Sequence, residues 1–422
     1  MVCKEYPKIS ERLYTASLPN GLTIFVVPKP GFHRKYAFFA TDYGGVDRRF
    51  KLAEKWIDTP AGVAHFLEHK MFDTEDGNAL EKLSENGASP NAYTSTDITA
   101  YHFECIDSFF ENLEILLSFV SIPYFTPESV EKEQGIITQE IRMIDDDPDH
   151  CLYYGLLKSL FKSNPVRDSV GGTVESIGRI TADTLYDCHR VFYAPSNMAL
   201  CVVGDVEPSM ILDKALSILP GQPGVAPLRD YGAPEVLSPE ATETMKSMEV
   251  SLPIFLAGSK IEPPACGQDV LWLEVVSGLA LEMLCGHSSP LYFRLYAEGL
   301  INADFSASFD SAAGIAYAMF GGETRDPMRV FREVKEEALR LTAHGPDAAL
   351  FKRIKKAAIG SHIRALNSFD AVASSIVEGH FRGFDAFEAL DLLTKVSIDD
   401  ISAFISDSLA TDNMAISIIN PK

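Results

Sequence analysis

The chain has 422 residues, 46% of them apolar, and sets 37 Lys and Arg against 59 Asp and Glu for a formal net charge of −22. That length exceeds one ordinary core and predicts two or more domains. The acidic balance argues against phosphate-backbone partners, so no nucleic-acid binding is expected. No run of about eighteen apolar residues occurs, so no membrane-spanning helix is expected. The opening Met1-Val2-Cys3-Lys4-Glu5-Tyr6-Pro7 lacks the apolar stretch of a secretory signal. The cysteines, seven in all, are scattered without C-x-x-C spacing. Reduced thiols, a reducing cytoplasmic setting and no cysteine zinc site follow as expectations.

In chain order, Leu22 to Val27 follows the turn signal Asn20-Gly21 and reads as a strand, and Tyr36 to Thr41 reads as a second. A helix is expected from about Pro60 to Met71. Asn78 to Asn86 reads as a short helix closed by Gly87. Asn91 to Glu104, rich in Thr and Tyr, favours strand. Phe109, Phe110, Leu113, Leu116, Leu117 and Val120 recur at helical spacing. Pro127 then opens a long helix to about Ile144. Met198 to Val203 reads as a buried strand before Gly204. Gly171-Gly172 and Gly321-Gly322 read as turns, and His102, His150, His189 and His287 lack ligand spacing and read as structural or surface residues.

The Pro- and Gly-rich stretch 219–239 reads as a linker between a domain over 1–218 and another over 240–422. Beyond it the pattern recurs. Asn197-Met198-Ala199 matches Asn413-Met414-Ala415, and Thr181-Ala182-Asp183 matches Ser397-Ile398-Asp399, both with an offset of 216 residues. Thr126-Pro127-Glu128 is similar to Gly345-Pro346-Asp347 at an offset of 219. A duplicated domain of mixed helix and strand is expected, hence an α+β fold.

The chemistry centres on His65-Phe66-Leu67-Glu68-His69, an H-x-x-E-H order. At about 3.6 residues per turn the two imidazoles leave one face of a helix, and Glu68 points the same way. Two neutral imidazoles can share one Zn²⁺ with a third protein ligand, and a carboxylate beside the metal is placed to take a proton from water. The third ligand should be a carboxylate on a neighbouring helix. Glu140 follows His69 by 71 residues, and Glu133 lies two turns before Glu140 on the same face. One of them can ligate while the other orients. The second copy cannot repeat this, because an offset of 216 from 65 and 69 lands on Leu281 and Cys285.

These residues resemble the inverted-motif zinc peptidases that include the mitochondrial processing peptidase, insulysin and pitrilysin. The resemblance rests on His65-x-x-Glu68-His69, on Glu133-Gln134-Gly135-Ile136-Ile137-Thr138-Gln139-Glu140-Ile141, on Gly87-Ala88-Ser89-Pro90-Asn91-Ala92-Tyr93-Thr94-Ser95 and on Tyr193-Ala194-Pro195-Ser196-Asn197-Met198. It implies two related α+β domains, each a mostly antiparallel sheet with helices on one face, forming half of a clam-shell chamber. It implies Glu140 as the third zinc ligand and Glu133 as the supporting carboxylate of the catalytic set. It also implies an exposed strand at Asn91, Ala92, Tyr93 and Thr94 that pairs with a peptide substrate. The length fits the members built from a single half. One departure matters: where the family carries an Arg and a Tyr that hold the substrate carbonyl, this chain has Pro290 and Asn302, with Arg294 and Tyr292 as the nearby alternatives. The expected function is a zinc endopeptidase acting on peptides or small unfolded polypeptides. Its expected partner is a homologous subunit that supplies the missing pair, in a heterodimer or failing that a homodimer. The alternative is a non-catalytic, peptide-binding or structural subunit of such a complex.

Overall fold

A computed structural model describes residues 1–219, 221–265 and 267–422. Pro220, within the expected linker, and Cys266 lie outside the described residues. The chain forms two compact units. The first comprises residues 1–141, 169–231 and 363–382, and the second comprises 142–168, 232–362 and 383–422.

The first unit is built on a seven-stranded sheet of β1 (Val2–Tyr6), β2 (Glu11–Ser17), β3 (Thr23–Pro28), β4 (Lys35–Thr41), β5 (Ser89–Thr94), β6 (Thr99–Cys105) and β7 (Met198–Gly204). Their spatial order is β1-β2-β3-β7-β4-β6-β5. Every pairing is antiparallel except β7 with β3. The expected strand over 91–104 is thus a hairpin of two strands, with β5 at the sheet edge. Strand side chains alternate between faces. Ile24, Val26, Ala37, Phe39, Tyr101, Phe103, Leu200 and Val202 point into a core shared with the helices Val63–Met71, Phe109–Ser121, Pro127–Asp145 and Ala182–Phe192. The intervening residues point the other way, onto the helix Phe369–Arg382. Phe25 meets the His380 ring there, and the Tyr36 hydroxyl donates to Asp370 at 2.7 Å.

The second unit carries a five-stranded sheet of β8 (Glu243–Met248), β9 (Ile254–Ile261), β10 (Ser306–Ala312), β11 (Ile315–Glu323) and β12 (Met414–Pro421). Its order is β8-β12-β9-β11-β10. This repeats β3-β7-β4-β6-β5 strand for strand, including the one parallel pair. By first residue the counterparts are 23 and 243, 35 and 254, 89 and 306, 99 and 315, 198 and 414, offsets of 216 to 220. One face of this sheet packs on the helices Gln268–Cys285 and Pro327–His344. The other face packs on the helix Pro148–Leu160, where Leu152 joins Ile254 and Ile419.

The division therefore differs from a single cut at 219–239. Each sheet is apolar on both faces at its centre, and each second face is covered by one helix from the opposite half of the sequence. Nor is 221–239 a slack connector. Arg229 bridges to Phe50 and forms ion pairs with Asp42 and with Asp47, which is nearly fully buried. Glu235 accepts backbone N–H groups of Ser163 at 2.6 Å and Asn164 at 2.8 Å and pairs with Lys260 at 3.0 Å. Gly321-Gly322, read as a turn, belongs to β11, where a Cβ at 321 would lie 2.1 Å from the Phe255 carbonyl oxygen. That close strand approach is what calls for glycine. Among the described residues, no single helix is long and apolar enough to cross a membrane.

Candidate metal centre

His65, Glu68 and His69 sit on the helix Val63–Met71, whose remaining side chains Val63, Ala64, Phe66, Leu67, Lys70 and Met71 are buried. Its N-terminus has no side-chain cap and starts instead at Gly62, in the left-handed region with φ 92°. The segment 171–176 holds it. The Ser176 hydroxyl donates to the Ala61 carbonyl at 2.7 Å, and Gly172, at φ 77°, leaves room for that same oxygen, 2.4 Å from where a Cβ would stand. The Gly171-Gly172 turn thereby fixes where the helix begins.

His65 and His69 lie one turn apart with ring centroids separated by 4.6 Å. Glu140 comes from the helix Pro127–Asp145, whose opposite stripe, Val130, Ile137 and Ile141, is buried. Its two carboxylate oxygens lie 3.6 Å from His65 Nε2 and 3.7 Å from His69 Nε2. One ligand atom from each of the three residues falls within 4.8 Å of the others, a group able to hold a metal ion. Glu133, two turns earlier, accepts from His69 Nδ1 at 3.1 Å, which directs the Nε2 of that ring toward Glu140. The carboxylates thus divide the roles left open by spacing alone: Glu140 faces both imidazoles and Glu133 braces one of them.

The electrostatics suit a metal. Burial, helped by the neighbouring His69, pushes His65 down to about 4, so its imidazole is neutral at pH 7. Its Nδ1 is buried without a hydrogen-bond partner. Burial also opposes charge on His69, but the hydrogen bond to Glu133 and the nearby carboxylates outweigh it and hold the ring above its ordinary value. A divalent cation would supply the positive charge these acids attract. Glu68 is 8% exposed, and burial raises its pKa against the opposing hydrogen bond from Thr94.

That bond has no signature in the sequence. Thr94 Oγ1 donates to Glu68 Oε2 at 2.7 Å, and Thr99 Oγ1 stands behind it, 3.3 Å from Thr94 Oγ1. Only the β5–β6 register, which pairs Thr94 with Thr99, reveals the arrangement. The other expected strand residues divide by face. Ala92 packs on the core under the metal helix. Tyr93 points the opposite way, against Phe38 and His102, and so away from Glu68. Asn91 accepts from the Ala92 N–H on the exposed edge. In the second unit, Pro290 occupies the first turn of the helix Pro290–Ala297, capped by Ser289. Arg294 is tied to Glu333 at 2.7 Å, and the buried Tyr292 donates to the Asn302 carbonyl. Neither side chain is idle. His189 bonds the Val120 carbonyl, His102 and His287 stack on aromatic rings, and His150 meets the Tyr154 ring at a tilt.

Fold and site together define a class: a duplicated α+β protein in which one copy carries a His–His–Glu group able to hold a metal ion. The chain belongs to peptidase family M16, the insulinase family. The family model described as Insulinase (Peptidase family M16) matches residues 57–174, and that described as Peptidase M16 inactive domain matches 179–358. The uncharacterised zinc protease YmfH of Bacillus subtilis is 38% identical over 99% of both chains. A solved M16-like protein from Alicyclobacillus acidocaldarius superposes with a TM-score of 0.94 at 31% identity, covering 100% of both. The periplasmic protease PqqL of Escherichia coli shares the fold at a TM-score of 0.73 and 18% identity, with 96% of this chain covering 47% of that one.

Proposed function

We propose that the chain is a zinc-dependent endopeptidase of peptides or small unfolded polypeptides, completed by a homologous partner subunit. The observation that carries this reading is the convergence of His65, His69 and Glu140 with Glu68 buried beside them. Two imidazoles and one carboxylate are a donor set that suits zinc and leaves a fourth position open. Zinc held there would supply a Lewis acid that polarises a peptide carbonyl and acidifies water.

The chain's own residues do the rest. Thr94 occupies Glu68 Oε2, which leaves Oε1 to take the proton of the attacking water. Glu68 then hands that proton to the leaving amine. Glu133 keeps the His69 ring in its working orientation. The free edge of β5, at Asn91, Ala92 and Thr94, aligns the peptide backbone as an added strand.

A partner enters because Pro290 and Asn302 replace the expected Arg and Tyr, while Arg294 and Tyr292 are engaged elsewhere. The coverage of PqqL, about half of that chain, is in keeping with a second half supplied by another subunit, either a homologue or a second copy. A cytoplasmic location belongs to this reading, in keeping with the free thiols of Cys3, Cys105, Cys151, Cys188, Cys201 and Cys285. The replaced Arg and Tyr also favour a second reading, a non-catalytic peptide-binding subunit. Zinc analysis with peptide cleavage, with and without chelator, separates them. One zinc per chain and chelator-sensitive cleavage, alone or once a homologous partner is added, support the enzyme. Bound peptide that is never cleaved under either condition supports the second reading.

A further inference from the structure

The first unit carries a cavity that the metal centre does not use. It has a volume of about 580 Å³ and lies between the helices Ala79–Glu85 and Phe109–Ser121. Its floor is apolar: Ala79 and Phe119 are buried, with Ile115 beside them. Its rim exposes two large apolar side chains, Ile122 at 66% and Tyr124 at 38%.

The rim is also acidic. Glu75, Asp76, Glu111 and Glu114 surround the opening, against one cation, Lys82. Glu114 is paired with Lys214. Among the described residues, Glu75, Asp76 and Glu111 form no ion pair. Thr74, Asn86 and Ser118 add neutral polar groups to the lining. An apolar floor continued by exposed apolar side chains and rimmed by polar groups is the make-up of an interaction surface. The uncompensated carboxylates select the charge of that cover and repel nucleic acid and anionic lipid alike.

We propose that this cavity is a second peptide-binding site, which takes a bulky apolar side chain on its floor and neighbouring Lys or Arg residues at its rim. Its volume lies within the range of small-ligand sites and admits one or two large side chains. The helix Ala79–Glu85 packs against the edge strand β5, so the cavity and the proposed substrate strand share one framework. Binding does not depend on the peptidase reading; its bearing on substrate choice does rest on that reading.

The test is fluorescence anisotropy with a labelled short peptide of alternating leucine and lysine, and with a leucine–glutamate counterpart. The full chain carries Glu68→Gln so that the probe is not consumed. Glu75→Lys with Glu111→Lys should weaken the lysine peptide about tenfold or more and admit the glutamate peptide. A control pair, Glu54→Lys with Glu249→Lys, makes the same charge change at acids that are 92% and 83% exposed and lie outside the cavity lining. It should retain wild-type affinity. Equal losses in both pairs would mean attraction by net charge alone and would overturn the proposal, as would equal binding of both peptides by the unaltered cavity. Should the wild-type chain cleave peptides while the two pairs behave alike, this site falls and the peptidase reading stands. Should nothing be cleaved, with or without a homologous partner, while the pairs separate, the reverse holds.

Discussion

The two units share five strands in one order, yet among the described residues only the first brings together a group able to hold a metal ion. His65, Glu68 and His69 have Leu281, Leu284 and Cys285 as counterparts at the offset of 216, and all three of these are buried by at least 98%. The helix around them runs 18 residues, Gln268–Cys285, against nine for Val63–Met71. The same scaffold position therefore presents a group able to hold a metal ion in one copy and buried packing side chains in the other. The lesson is that this topology accommodates either choice: strand order and a far-side helix are common to both units while the equivalent helix presents different side chains.

The largest effect should come from removing the base. Glu68→Gln should lower peptide turnover by about 10³-fold while zinc content stays at one per chain, read by elemental analysis beside a cleavage assay. Retained turnover would erase the chemical difference between the copies. The matching change in the second copy should act on stability instead. Leu281→Ala leaves a cavity and should cost about 2–5 kcal/mol in denaturant unfolding, with zinc content unaltered.

Much of this contrast was legible in the residues alone. Helical spacing put His65, Glu68 and His69 on one face, and the seven-residue interval put Glu133 and Glu140 on another. Local periodicity carries that information. What it does not carry is register and exchange. Thr94 reaches Glu68 only because β5 is paired with β6 at the edge, and Tyr93 looks away only because strand side chains alternate. The helices Pro148–Leu160 and Phe369–Arg382 have ordinary amphipathic patterns that do not say which sheet they cover. The stretch 221–239 is rich in Pro and Gly, as a connector should be, but its binding comes from single side chains, Arg229 and Glu235.

A smaller effect distinguishes the two acids of the helix Pro127–Asp145. Glu133→Gln keeps a hydrogen-bond partner for His69 but removes its charge, and should lower zinc affinity or turnover by about 10–100-fold, measured by competition with a chelating dye. The smallest effect concerns Glu235 in the second unit. Burial alone would raise its pKa, but the N–H groups of Ser163, Lys162 and Asn164, with Lys260, hold it down at about 2. The folded value lies below the unfolded one, so Glu235 stabilises the fold fully above about pH 4.5. That contribution fades as pH falls toward 2. Wild type and Glu235→Gln should differ in urea midpoint at pH 6 and converge near pH 2 to 3. A gap that persists unchanged into acid would refute the linkage.

The most direct check on the central claim is anomalous diffraction at the zinc edge from crystals of the wild-type chain grown with zinc. The account predicts one strong peak about 2.0–2.2 Å from His65 Nε2, His69 Nε2 and a Glu140 oxygen, with Glu68 outside that distance. No peak between those three side chains, or zinc held elsewhere, would contradict it.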